Sequence, residues 1–90
     1  MNICVVSTFE GEVVEYMSMI AEFDEQIRSA VSDFDIGVVK TDKPGISKVI
    51  AMINVVHEEL FDEIMSSPKM LEWDKAHNNT DIIYSLERIN

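Results

Sequence analysis

The spacing of apolar and polar positions changes several times along the chain, and each change marks an element. Residues 3–9, ICVVSTF, are β-branched and aromatic, which predicts a strand. Glu10-Gly11-Glu12 breaks it. From Val13 the apolar positions are Val13, Tyr16, Ile20, Phe23, Ile27 and Ala30, at spacings of 3, 4, 3, 4 and 3. That period is one helical stripe over 13–30, with Glu15, Glu22, Asp24 and Glu25 turned to water.

FDIGVVKT (34–41) and SKVIAMINVV (47–56) predict two strands flanking Asp42-Lys43-Pro44-Gly45. Proline fixes one turn residue and glycine permits positive φ, so these strands form a hairpin. A second helical pattern opens near His57, with Leu60, Phe61, Ile64 and Met65 on its apolar face. Ser67-Pro68 reads as a helix restart: serine caps free amides and proline suits the first helical position. The helix then runs to about Ala76, Asn78-Asn79 ends it, and DIIYSLERI (81–89) is the last strand. The order βαββαβ is an α+β, ferredoxin-like domain over residues 1–90, with a four-stranded antiparallel sheet and two helices on one face.

The strands are apolar on both faces. The first carries Ile3 and Val5 on one side, Cys4 and Val6 on the other; the third carries Ile50 and Met52 against Val49, Ala51 and Ile53. Two helices cover one face only, and a second face open to water would alternate apolar with polar. In a chain this short a second copy is the expected cover, so the pattern predicts a homodimer packed sheet to sheet.

Composition adds restrictions. Ninety residues with 47% apolar content suit one globular domain. Seventeen acidic against seven basic residues give a net charge of −10, which repels phosphate backbones and anionic membranes. Neither nucleic acid nor membrane is an expected partner. The single cysteine, Cys4, forms no internal disulfide and has no basic neighbour in sequence to activate it. The first residues, MNICVVSTF, lack the charge and the apolar length of a signal or spanning segment, so a cytoplasmic location is expected.

Over this element order the run DFDIGVVKTDKPGISKVIAMINVVHEELFDEIMSSPKMLEWDKAH resembles the dimeric α+β barrel superfamily. It is most similar to the antibiotic-biosynthesis and haem-degrading monooxygenase-like group. The resemblance lies in a glycine-containing second strand, a hairpin, and a second helix with an internal Ser-Pro. Haem-degrading members place an asparagine on the first strand and a tryptophan and a histidine on the second helix. Those positions here are Val5 to Ser7, Ile64 and Asp74. The three roles do not transfer, and no cofactor is expected.

Trp73 and His77 have those residue types but stand elsewhere on the helix. With Met70 they fall on one helical face, and a histidine beside an indole is a candidate general base. The plainer role is a tryptophan packed at the sheet edge and a histidine bonded to a carbonyl near the helix end. HEEL at 57–60 lacks the second histidine of a zinc helix, so no metal site is expected, and His57 marks a helix start. Met17, Met52, Met65 and Met70 suggest adaptable apolar walls. With Ile20 they are candidates for a pocket holding a fatty-acid-like or polyketide-like molecule, with Trp73, His77 or Tyr84 at its mouth. The alternatives are a cofactor-independent monooxygenase or isomerase, and a ligand-free structural or regulatory dimer.

Overall fold

A computed structural model of the chain describes residues 1–89. Its elements are β1 (Ile3–Glu10), α1 (Val13–Glu22), α2 (Asp24–Ala30), β2 (Val31–Val39), β3 (Ile46–Val55), α3 (Glu58–Met65), α4 (Pro68–Ala76) and β4 (Thr80–Ser85). The strands form one antiparallel sheet in the order β2-β3-β1-β4. This is the expected α+β, ferredoxin-like βαββαβ arrangement, with each predicted helix divided in two. Among the described residues no helix is long and apolar enough to cross a membrane.

The first predicted helix, 13–30, breaks at Phe23, which closes α1 and opens α2. Asp24 and Glu25 then occupy the first turn of α2, where carboxylates favour the positive helix end. Buried Tyr16, Met19, Phe23 and Ala30 keep a single inward stripe across the break. The second predicted helix breaks as the Ser-Pro pair indicated. The Ser67 hydroxyl accepts from the Met70 amide at 3.3 Å and Pro68 takes the first helical position. His57 caps α3, its Nδ1 accepting from the Leu60 amide at 3.3 Å.

Strand limits differ at two places. β2 starts at Val31 rather than 34, because a bulge between Val31 and Asp33 absorbs the polar residues that read as a loop. β4 ends at Ser85, the partner of Ile3, rather than at 89, and one further bond follows, from the Leu86 amide to the Asn2 carbonyl at 2.8 Å. Gly45 closes the hairpin with φ at 80°, a conformation open to glycine at little cost.

Register assigns the faces. Ile3, Val5, Ser7 and Phe9 lie in rows with Ile53, Ala51, Val49 and Ser47, and this side meets the helices. On the opposite side Cys4 lies between Met52 and Tyr84, and Val6 between Ile50 and Ile82. The centre of that second face is apolar, as the two-faced strands predicted, with Asp35, Lys48 and Thr8 towards its margins, and Ile82 and Tyr84 are half exposed on it.

Candidate functional site

Between the helix-facing side of the sheet and the undersides of the helices lies a cavity with about 70 Å³ of room for the centres of water-sized groups. Val5, Ala51 and Ile53 form its floor; Ile20, Ile64 and Met70 form part of its roof. Ser7, Tyr16, Asp74, Asn79 and Asp81 also line it, and among the described residues no lysine, arginine or histidine does.

The polar residues meet for local reasons. Ser7 and Asp81 are register partners on neighbouring strands, so their side chains share the helix-facing side. The Ser7 hydroxyl donates to Asp81 Oδ1 at 2.6 Å. Asn78, at φ 47°, turns the chain after α4 in the left-handed conformation common at helix ends. The Asn79 amide then donates to the Asp74 carbonyl at 2.8 Å. Its side chain bridges two carboxylates: Nδ2 donates to Asp74 Oδ1 and to Asp81 Oδ1, both at 2.9 Å. Asn79 Oδ1 is buried without a partner. Tyr16, from α1, brings its phenol to the same end of the cavity, beside Ser7.

Burial sets the ionisation of this end. It pushes the Tyr16 hydroxyl above its ordinary pKa; the bond to Ser7 opposes this, and the charges of Asp81 and Asp74 add to it. Burial likewise raises the Asp74 carboxyl, opposed by the bond from Asn79 and reinforced by Asp81. A carboxyl raised in this way takes up a proton more readily than an ordinary aspartate.

The residues expected from sequence separate into three places. Ile20, Met65 and Met70 line the cavity. Met17 is exposed on α1 and outside it, while Met52 and Tyr84 lie on the opposite face of the sheet. Trp73 and His77 close one end of the core instead of lining the cavity. Their rings stack with centroids 4.0 Å apart, and Trp73 meets Phe9 and Tyr16 edge-on at 5.3 and 6.0 Å. His77 Nδ1–H donates to the Trp73 carbonyl at 3.0 Å, which directs Nε2 to Glu15 Oε1, 3.7 Å away. The histidine is thereby held in the plainer role, at the end of α4.

Sequence reasoning passed over Ser7, Tyr16, Asp74, Asn79 and Asp81 as a site. One signal was present: Ser7 is the single polar residue among Ile3, Val5, Ser7 and Phe9, and a polar group on a core face needs a partner. The positions matching the resembled family's asparagine, tryptophan and histidine converge as well. Val5, Ser7, Ile64 and Asp74 all line this cavity, although the residue types differ.

A wider groove of about 300 Å³ runs between α3 and the sheet beside Asn2, Glu58, Asp62 and Ser85. Asn2 is committed there to structure, its side chain exchanging hydrogen bonds with the Val55 backbone at 2.9 and 2.8 Å.

No family model matches the chain, and no curated protein matches it. Solved structures do. SnoaB, a cofactor-independent oxygenase from Streptomyces nogalater, superposes with a TM-score of 0.55 at 14% identity, covering 98% of this chain and 95% of SnoaB. HapK from Hahella chejuensis gives 0.53 at 13% identity over 99% of this chain and 93% of its own. The de novo designed protein Ferredog-Diesel gives 0.55 at 15% identity over 93% and 84%. A designed protein matching as well as an oxygenase shows that the likeness is one of fold. At that level the expected α+β, ferredoxin-like fold holds, shared with SnoaB, HapK and the designed protein alike.

Proposed function

We propose that this is a cytoplasmic homodimer, packed sheet to sheet, in which each subunit binds a small apolar molecule in the cavity between helices and sheet. The observation that carries the reading is the cavity itself: apolar walls with polar groups gathered among Ser7, Tyr16, Asp74, Asn79 and Asp81. Such a composition provides hydrophobic contact for a ligand's body and a few fixed groups to orient it. The volume suits a ring or a short chain better than a long acyl tail. Self-association is supported by the second sheet face, where Val6, Ile50, Met52 and Ile82 lie together without a helix above them.

The test is native mass spectrometry of freshly purified protein, followed by titration with small apolar probes. A bound organic molecule, or saturable uptake that shifts the Ile64 and Met70 methyl signals, is expected. Absence of both sinks the reading and leaves a ligand-free structural or regulatory dimer.

A second reading, a cofactor-independent monooxygenase or isomerase, is favoured by one feature. Asp74 lines the cavity with its carboxyl raised by burial, which makes it a stronger base than an ordinary aspartate. It suits that role better than His77, whose ring is held against Trp73. Turnover of an accepted substrate that survives Asp74→Asn undiminished disproves it.

A further inference from the structure

We propose that the ligand of this cavity is a small apolar amine, bound as its ammonium ion by Asp74 and Asp81. The inference rests on the reading of the cavity as a ligand site and narrows its occupant.

A count of donors and acceptors leads to it. The Ser7 hydroxyl proton goes to Asp81. The Asn79 amide has two protons, and Nδ2 bonds to both Asp74 and Asp81. The donors of Ser7 and Asn79 are therefore already directed at the two carboxylates, and the Tyr16 hydroxyl is the group's remaining donor. The rest is acceptor capacity: the second oxygens of both carboxylates and the unpartnered, buried Oδ1 of Asn79. A ligand group that enters beside the two carboxylates meets these acceptors, so it has to donate.

Charge then distinguishes among donors. Two carboxylates bonded to one amide nitrogen repel each other, and no basic side chain among the described residues lines the cavity with them. An ammonium group supplies up to three N–H donors and the missing positive charge, forming charge-assisted bonds stronger than those of an alcohol. A carboxylate head, as on a fatty acid, would add a third negative charge and offer no proton. The walls of Val5, Ala51, Ile64 and Met70 would cover the amine's apolar body.

The test uses four probes with one body, namely phenethylamine, phenethyl alcohol, phenylacetate and ethylbenzene, titrated into the full chain at neutral pH by calorimetry. The amine is expected to bind at least about tenfold more tightly than the alcohol or the hydrocarbon, with no uptake of phenylacetate. Methyl signals of Ile64 and Met70 should move on amine binding. Asp74→Asn should weaken the amine and spare ethylbenzene, and Ala51→Leu, which fills the cavity, should weaken both. Equal binding of amine and ethylbenzene overturns the amine and leaves the cavity a ligand site. Binding of none of the four overturns both readings. Amine binding that leaves the cavity methyls unmoved, or phenylacetate binding as well as the amine, also overturns the inference. The comparison of probes and the methyl shifts need only the wild-type chain, so they decide the matter even where a variant fails to fold.

Discussion

Ser7, 2% exposed, is the one buried polar residue among the described residues. It is tolerated there because its hydroxyl donates to Asp81. Asp74 differs: Asn79 supplies one hydrogen bond, yet burial and the charge of Asp81 still raise its pKa. The folded chain therefore holds the Asp74 proton more tightly than the unfolded chain does. Stability falls as pH rises from the ordinary carboxylate value, about 3.9, through the raised one. Asp74→Asn keeps an acceptor for Asn79 and removes the charge. Its stability relative to wild type is expected to improve between about pH 3 and pH 7, as measured by urea midpoints at both ends. An unchanged difference would mean that the carboxylate is relaxed in the fold. Under the ligand role proposed for Asp74, such a cost to the empty protein is ordinary for functional sites.

At the scale of elements, both helical layers consist of two short pieces, and the reasons differ. The break at Ser66-Ser67 is written in capping chemistry, and the Ser67 hydroxyl both accepts from the Met70 amide and donates to the Ile64 carbonyl at 2.9 Å. Ser67→Ala should therefore cost about 1 kcal/mol, within the usual range for a lost cap, and lower the thermal midpoint by roughly 4–8 °C. A scanning calorimeter checks this, and a shift below about 1 °C would show that Pro68 alone restarts the helix. The break at Phe23 carries no glycine or proline, so periodicity read through it as one helix. Its cause is tertiary: α2 must end at Ala30 and enter β2 at once at Val31, with Phe23 buried beneath the bend. Trp73 and His77 show the converse. Their spacing was legible, but which side of α4 faces a cavity depends on Phe9 and Tyr16 from other elements.

For the whole molecule the decisive feature is the sheet face opposite the helices. Ile50 lies at its middle, between Val6 on β1 and Gly37 on β2. Ile50→Lys places a charge where the second sheet is proposed to sit, and the intact helix-side core should still fold. Light scattering at micromolar concentration is expected to show twice the 10.3 kDa chain mass for wild type and a monomer for the variant. A wild-type monomer would remove the dimer from the proposal without touching the cavity. Sequence alone determined the element order, the hairpin, the Ser-Pro restart and the two apolar sheet faces, because periodicity, turn residues and caps act between near neighbours. Tertiary structure decided the cavity and its polar end, because Ser7 and Asp81 are 74 residues apart and meet only through strand register. It also decided that Asp74, rather than His77, lines that cavity, since the direction a helix faces is settled by the elements packed against it.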